Sequence, residues 1–201
     1  MNKRLNTIFF YIALVWPLVA DDGYKMPPKA IVDIVDAPKT PNISISPNKE
    51  YLLLLGRPSL ISIEELSQSE LKLAGIRINP ATNGRSRAST YNSITIKNIE
   101  SSKEKKIKGI PRGAAILQTS WSPDGNHIAI AMIVDKKISL YVAQTKNGRA
   151  KLLVNKALNT AYGTPMYWLS DSRGLIIKTI IDRRGPAPTY NTNPTGPILQ
   201  E

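Results

Sequence analysis

One short motif occurs three times in this chain and constrains its fold more than any other feature. The clearest copy spans residues 119–132, where the run Ser-Pro-Asp-Gly comes directly before an apolar stretch. Asp accepts hydrogen bonds from nearby backbone amides, Gly tolerates a positive φ, and Pro fixes its own φ near a value that turns require. The motif therefore predicts a tight turn leading into a buried β-strand, and it contains no catalytic signature.

The copies of this motif define a spacing. The second copy lies around Ser46, which aligns with Ser122 and is 76 positions before it. The third lies around Asp171, which is 47 positions after the equivalent Asp124. The spacing of 47 residues is close to the four-strand repeat of a β-propeller. The spacing of 76 residues is longer by about 30, which indicates an insertion of about that length. The predicted fold is therefore all-β, an incomplete β-propeller of about two and a half four-stranded blades, with a short helical insertion.

The stretches between the copies carry the further strands that such blades need. Residues 137–143 and 150–154 flank Asn147 and Gly148, a pair that strongly favours a β-hairpin. Residues 93–99 and 105–110 are weaker counterparts in the preceding blade.

The insertion spans residues 57–91. Ser62 followed by Glu65 is typical of a capping box and predicts a helical turn. The run 79–84 predicts turns, because it combines Asn, Pro and Gly. Three leucines are expected to pack one side of the insertion back on the sheet: Leu66, Leu71 and Leu73. A structural flap and a contribution to binding both remain open for this segment.

Three regions follow from the composition along the chain. Residues 1–20 combine an early positive charge, a short apolar stretch and a small residue before Asp21, which predicts a cleaved signal peptide and an exported protein, periplasmic or secreted. An uncleaved membrane anchor is the alternative. Residues 21–41 form a proline-rich N-terminal leader, and residues 42–201 form the partial propeller. The tail from Arg183 is rich in Pro and Gly and is expected to end the chain in a loop.

The chain is strongly basic, with 27 Lys and Arg against 15 Asp and Glu. Its densest basic cluster consists of Lys103, Lys105, Lys106 and Lys108, with Arg112 nearby. The cluster lacks the stacking aromatics and the reading helix that nucleic-acid surfaces use. A solvated face is therefore favoured over contact with a polyanion, and neither nucleic acid nor a stable membrane span after signal cleavage is expected.

Residues capable of catalysis are few. The chain has no cysteine, which excludes disulfides, thiol catalysis and cysteine-based zinc sites. Its single histidine, His127, aligns with Tyr51 and Gly174 in the other copies and is interpreted as a variable strand residue. Ser86 lies in the closest approach to Gly-x-Ser-x-Gly, but the second glycine is missing.

Other candidate groups are also interpreted as structural. The nearby carboxylates Asp33 with Asp36, and Glu64 with Glu65, are expected to be solvated or to cap a helix. Trp121 and Trp168 occupy equivalent repeat positions, which favours packing between blades over ligand binding. The sequence thus predicts no catalytic, cofactor-binding or metal-binding residues and no cofactor.

Several short motifs resemble the amino-terminal part of glutamyl endopeptidases in the prolyl oligopeptidase clan. They extend from about Tyr24 to the end of the chain, and those in the insertion are the most specific. The motifs lie at 24–29, 31–33, 36–38, 57–60, 63–66, 73–75, 77–80, 82–84, 184–188 and 194–197.

This resemblance implies an exported serine peptidase whose propeller covers an α/β-hydrolase domain and restricts which peptide substrates reach a Ser-Asp-His triad. No triad residue maps onto this chain, so the chain alone is predicted to be inactive, and a peptide substrate is expected only in a full-length enzyme. The alternative is an exported propeller-like binding module that completes its fold by oligomerising or with a partner chain. Open sheet edges would also allow self-association.

Overall fold

The computed structural model describes residues 25–154, 157–181, 183, 185 and 186 of the chain. The predicted signal peptide and most of the predicted tail lie outside these residues. The chain divides into two compact units, Met1–Val35 and Asp36–Glu201. Among the described residues, no helix is long and apolar enough to cross a membrane.

The described part of the first unit contains the helix α1 (Lys29–Val35). The carbonyl of Pro28 accepts hydrogen bonds from the backbone N–H groups of Ile31 and Val32, at 2.9 and 3.2 Å. Proline is well tolerated at a helix start because the N–H groups there have no partner within the helix. Lys29 and Asp33 form an exposed ion pair one turn apart, at 2.6 Å. The prolines on either side limit the helix to seven residues.

Short antiparallel strands dominate the described part of the second unit. In chain order its elements are β1 (Lys39–Ile45), β2 (Tyr51–Arg57), α2 (Ile63–Leu66), β3 (Leu71–Leu73), β4 (Ile76–Asn79), β5 (Gly84–Arg85), β6 (Ser93–Asn98), β7 (Glu104–Lys106), β8 (Ala115–Trp121), β9 (His127–Val134), β10 (Lys137–Gln144), β11 (Arg149–Val154), β12 (Met166–Trp168) and β13 (Leu175–Ile177).

These strands form four antiparallel sheets. Sheet 1 has the order β1-β2-β6-β7, and sheet 2 has the sequential order β8-β9-β10-β11. Strand pair 3 joins β12 to β13, and the insertion sheet has the order β3-β4-β5. Each of the first two motif copies therefore starts a four-stranded sheet, as the repeat predicts, and the insertion falls between the second and third strands of sheet 1.

The first strand begins earlier than the sequence predicts. Residues 39–41 belong to β1, although they fall in the predicted leader 21–41. The pairing with β2 shifts between Lys39 and Asn42. Pro41 lies within this irregularity, where its lack of a backbone N–H does not interrupt a regular ladder.

The repeated turn has the same conformation in all three copies. The residue at its fourth position has a positive φ in each case: 61° at Lys49, 74° at Gly125 and 61° at Ser172. The Asn or Asp side chain before it accepts a hydrogen bond from the backbone N–H two residues later, in the pairs Asn48 with Glu50, Asp124 with Asn126, and Asp171 with Arg173. The first two copies add a serine hydroxyl that accepts from the next strand, which the third copy lacks because Leu169 replaces the serine.

The two tryptophans join neighbouring sheets, as their repeat positions predict. Trp121 Nε1 donates to the hydroxyl of Ser44 in sheet 1 at 3.0 Å, and Trp168 Nε1 donates to the carbonyl of Ser120 in sheet 2 at 3.1 Å. Ser44 and Ser120 are themselves equivalent positions in the repeat. A hydrogen bond from a tryptophan indole to the equivalent serine thus occurs twice. Each time it joins one motif copy to the copy before it in the chain.

Burial is concentrated around β9. Its residues 128–132 have no exposed surface. One face belongs to a core shared with sheet 1, which includes Leu53 and Ile96. The other face packs with Leu158 and Met166 toward strand pair 3. Because both faces of β9 are covered, its residues 128–134 are all apolar instead of alternating with polar ones.

The insertion folds partly as predicted. The hydroxyl of Ser62 accepts the backbone N–H of Glu65 at 3.1 Å, so the predicted cap of α2 is confirmed. The predicted turns over 79–84 are also confirmed, because β4 ends at Asn79 and β5 begins at Gly84.

The expectation that the insertion packs through its leucines is wrong. Leu66, Leu71 and Leu73 are 44%, 42% and 56% exposed. Two of these leucines belong to β3, an edge strand of the insertion sheet, which the sequence analysis did not predict. Polar groups hold the insertion together instead.

Candidate functional site

The insertion and sheet 2 enclose a cleft of about 610 Å³. Its walls come from α2, from the turn and strand at 79–90, and from the sheet 2 residues Leu117, Ile133 and Lys136. We call it the insertion cleft. It is the place where the insertion, for which a structural flap and a contribution to binding were both open, meets the repeated scaffold.

Gly84 brings the insertion close to sheet 2. A Cβ at this position would lie 2.7 Å from Thr160 Oγ1 and 2.8 Å from Ile138 Cδ1. Both distances are shorter than a Cβ normally tolerates, so a larger residue here would push the side chains of Thr160 and Ile138 aside. The close approach fixes the position of the residues on either side of Gly84.

A partly buried carboxylate organises the floor of the insertion. Glu70, whose side chain is 14% exposed, forms an ion pair with Arg77 Nη1 at 2.6 Å and lies 3.9 Å from Arg87 Nε. Ser86 donates its hydroxyl proton to the second carboxylate oxygen at 3.1 Å. Burial raises the pKa of Glu70, but the hydrogen bond from Ser86 and the charges of Arg77 and Arg87 outweigh it, so the pKa is lowered. Glu70 is therefore ionised at neutral pH and ties β4 to the end of β5.

Two buried polar side chains shape the turn between β4 and β5. Asn79 Oδ1 accepts the N–H of Ala81 at 2.9 Å, while its Nδ2 donates to Gln68. Thr82 Oγ1 accepts the N–H of Gly84 at 3.2 Å. Since buried polar groups are costly when unpaired, these bonds hold the cleft wall in one conformation.

Charged side chains of both signs line the cleft. Arg85, Arg87 and Lys136 contribute cations, and Glu64 and Glu65 contribute carboxylates. Lys136 reaches the cleft from a two-residue turn in which both Asp135 and Lys136 have a positive φ, of 48° and 61°. Such turns normally use Asn and Gly. The lining can bind an extended polar segment by hydrogen bonds and charge pairing.

The structure does not bring Ser86 and His127 into one site. The Ser86 hydroxyl is engaged with Glu70. His127 instead lines a second cleft, of about 620 Å³, between sheet 2 and strand pair 3. Its ring centroid lies 6.3 Å from that of Trp168, and among the described residues nothing hydrogen-bonds its buried Nδ1. The serine therefore has no imidazole base beside it in the described structure.

The remaining candidates behave as surface or capping groups. Asp33 pairs with Lys29, Asp36 is exposed, and Glu64 and Glu65 both line the insertion cleft. Glu65 takes part in the cap of α2 through its backbone N–H. The four lysines of the basic cluster are exposed. Within the described part of the chain, no three His, Asp or Glu side chains group in a way that could hold a metal ion.

Sequence reasoning missed the residues that organise the insertion. Glu70 gave no local signal, because its partners Arg77, Ser86 and Arg87 are 7, 16 and 17 positions away. A signal did exist for the hairpin: the runs Leu-Lys-Leu and Ile-Arg-Ile alternate around Ala74 and Gly75, which have φ values of 46° and 78°. Alternation around such a pair predicts a hairpin.

Comparison with known proteins gives two curated relatives, both assigned as chloroplastic glutamyl endopeptidases. The relative from Oryza sativa subsp. japonica is 37% identical over 191 residues, and that from Arabidopsis thaliana is 38% identical over 192 residues. The matches cover 89% and 90% of this chain but only 20% of each relative. The chain therefore spans about one-fifth of the length of the curated relatives that it matches.

Other comparisons add little. No protein-family model matches the chain. A solved structure from Bacteroides ovatus, assigned as a dipeptidyl aminopeptidase IV, superimposes with a TM-score of 0.43 and 15% identity, covering 68% of this chain and 20% of that one. The two curated relatives, matched over nine-tenths of this chain, confirm the predicted resemblance to glutamyl endopeptidases.

Proposed function

We propose that this chain is the N-terminal β-propeller part of a serine endopeptidase resembling glutamyl endopeptidases, and that in the full-length enzyme it restricts which peptides reach the catalytic site. The observation that carries the proposal is the 37% identity to one-fifth of a glutamyl endopeptidase over 89% of this chain. The geometry is compatible with it, since sheets 1 and 2 and strand pair 3 repeat one motif and one inter-sheet contact, as blades do. We assign about two and a half blades to the chain.

The chain alone is proposed to be catalytically inactive. Hydrolysis by a serine nucleophile needs a base within hydrogen-bond reach of the hydroxyl. Ser86 donates to the ionised Glu70, and His127 lines a different cleft. We expect purified chain to leave a Glu-containing fluorogenic peptide intact. Hydrolysis that persists through repurification and disappears in Ser86→Ala would contradict this part of the proposal.

A chimera tests the restricting role. The matched fifth of the Arabidopsis relative is replaced by residues 25–201 of this chain, and cleavage of a short Glu-containing peptide is compared with cleavage of a folded protein. We expect the chimera to cleave the peptide at a rate close to the parent's and to leave the folded protein intact. Cleavage of both substrates at similar rates would show that this segment restricts nothing.

The alternative function is a stand-alone binding module that completes its sheet ring by oligomerising or with a partner chain. Exposed apolar side chains at both ends of the repeat favour it: Ile43 and Ile45 on β1 are 62% and 59% exposed, and Tyr167 and Ile176 in strand pair 3 are 53% and 60% exposed. Light scattering on residues 25–201 separates the two proposals. A single stable oligomer supports the module, whereas aggregation supports the fragment.

Residues 1–20 are proposed to direct the protein out of the compartment in which it is made. The curated relatives are named as chloroplastic proteins, so organellar targeting is the competing destination. Mass spectrometry of the mature protein from its native cells tests cleavage, with an N-terminus near Asp21 expected. Fractionation of the same cells then distinguishes export from import into an organelle.

A further inference from the structure

The structure joins two basic segments that are distant in sequence. Lys105 Nζ donates to the carbonyl of Lys146 at 2.8 Å, across the boundary between sheets 1 and 2. Two backbone hydrogen bonds of 2.7 Å continue this junction, from Lys108 N–H to the carbonyl of Gly148 and from Ala150 N–H to the carbonyl of Lys108. Lys108, just after the outermost strand β7 of sheet 1, therefore forms a single parallel bridge with Arg149 on the outermost strand β11 of sheet 2.

Gly148 lies at this junction. Its φ is 64°, and a Cβ there would lie 2.7 Å from Cδ of Lys105. The aliphatic part of Lys105 thus lies across the β10–β11 turn, and its ammonium group stays at the surface. The Asn-Gly turn thus forms part of the contact between the two basic segments.

The resulting surface, which we call the basic rim, carries cations almost exclusively. All of its cationic side chains are exposed: Lys103, Lys105, Lys106, Lys108, Lys146, Arg149 and Lys151. Within the stretches 103–108 and 146–151, Glu104 is the sole acidic residue, and its carboxylate pairs with Lys97 at 3.2 Å. No carboxylate within these stretches is left to neutralise the rim, so it will attract an anionic surface.

Exposed leucines adjoin the cations. Leu152 and Leu153 follow Lys151 on β11 and are 47% and 53% exposed, and Leu153 also lines the second cleft, the one that contains His127. Cations next to exposed apolar side chains suit the interface of a lipid bilayer, where apolar groups enter the acyl boundary and cations meet anionic headgroups. Nucleic acid is less well suited, since the rim stretches contain no aromatic side chain for stacking and no helix.

We propose that the basic rim, with Leu152 and Leu153, is a docking surface for an anionic lipid bilayer. The occupant is identified by charge complementarity and by the leucines beside the charges. Lysines on exposed edge strands also discourage strand-to-strand aggregation, but that role alone predicts no lipid binding. The proposal does not depend on the peptidase function, because it rests on the basic rim and the two leucines beside it.

Vesicle cosedimentation of the full chain tests the proposal. The probes are phosphatidylcholine vesicles with and without about one-third phosphatidylserine, at salt near 0.1 M and near 0.5 M. The chain should bind the anionic vesicles, bind neutral ones far less, and lose binding as salt rises. Equal binding to both kinds of vesicle would overturn the proposal. It would indicate that the apolar segment at the N-terminus of the chain causes the binding.

Matched variants locate the surface. Lys103→Glu with Lys106→Glu reverses two rim charges, and Lys72→Glu with Lys137→Glu makes the same charge change at exposed sites outside the rim. Because each cation near an anionic leaflet strengthens binding about fivefold, the rim variant should bind at least about tenfold more weakly. The control should change little, since charges beyond the Debye length are screened. Equal losses in both variants would overturn the proposal.

A third variant separates lipid from other polyanions. Leu152→Ser with Leu153→Ser should weaken vesicle binding severalfold without affecting binding to a duplex DNA probe. If the full chain binds DNA at the same salt but not anionic vesicles, the rim is a nucleic-acid surface and the lipid proposal is wrong. Circular dichroism of every variant confirms that it has folded.

Discussion

Sheet 2 and the insertion are neighbours in space but are stabilised in opposite ways. In sheet 2, residues 128–132 of β9 are completely buried, and their side chains pack on both faces of the strand. The insertion leaves its leucines exposed and depends on Glu70, Arg77 and Ser86. Apolar burial is non-directional and strong in sum, whereas a polar cluster fixes geometry at little net gain. The scaffold thus carries the stability, and the insertion carries the shape of the cleft.

Removing apolar volume from β9 should have the largest effect. Met132→Ala deletes a side chain with no exposed surface and should lower the free energy of unfolding by about 2–5 kcal/mol. Leu73→Ala in the insertion is the control, with a loss well under about 1 kcal/mol, because Leu73 is mostly exposed. Urea denaturation measures both. Similar losses in the two variants would contradict the division between scaffold and insertion.

The contact between sheets should have an intermediate effect. Trp121→Phe removes the Nε1 donor to Ser44, and the pair should contribute about 1 kcal/mol. A double-mutant cycle with Ser44→Ala separates the energy of this hydrogen bond from the effect of replacing the indole by a smaller ring. A coupling energy near zero would mean that the repeated tryptophan contact does not stabilise the junction.

The repeated turn should make a smaller contribution to the free energy of unfolding, and this contribution should depend on pH. Hydrogen bonds from the Ser122 hydroxyl and the Asn126 backbone lower the pKa of Asp124 from 3.8 to about 2. A lowered pKa in the folded state stabilises the protein above the unfolded value, and this stabilisation is lost as the pH falls from about 4 to about 2.

Because Asp124 is exposed, the effect should be below about 1 kcal/mol. Thermal denaturation of wild type and Asp124→Asn at pH values between about 2 and 6 measures it. The difference between the two proteins should shrink toward the acid end. If the difference in thermal stability stayed constant across this pH range, ionisation of Asp124 would not be its cause.

Disrupting the carboxylate of the insertion should have the smallest global effect. Glu70→Gln removes the charge that pairs with Arg77 and lies near Arg87. Hydrogen exchange should speed up in β4 and β5, whereas the amides of β9 should keep their protection, since the sheets do not share this cluster. Faster exchange in β9 would show that the insertion supports the scaffold after all.

The sequence predicted the local features well. The repeated turns, the cap at Ser62 and the β10–β11 hairpin each depend on residues within a few positions of one another, and their side-chain chemistry is specific to those conformations. The tryptophan contacts also followed, because equivalent positions in a repeat have equivalent environments.

The features that the sequence did not predict depend on distant partners. The role of Glu70 in organising the insertion becomes visible only in the folded chain, where it contacts Arg77 and Ser86. The leucines of β3 alternate as a half-buried strand would, yet β3 lies at the edge of a small sheet, which leaves them exposed. The basic rim likewise depends on residues that are distant in sequence, because Lys105 contacts the carbonyl of Lys146 only in the folded chain.

The central claim is that these sheets are part of a larger ring that the full-length enzyme completes. Hydrogen exchange in strand pair 3, at Met166–Trp168 and Leu175–Ile177, tests it most directly, measured in the isolated chain and in the chimera with the Arabidopsis relative. The account predicts fast exchange in the isolated chain and strong protection in the chimera, where a further blade covers the pair. Equal protection in both proteins would contradict the claim and would favour a module that is complete on its own.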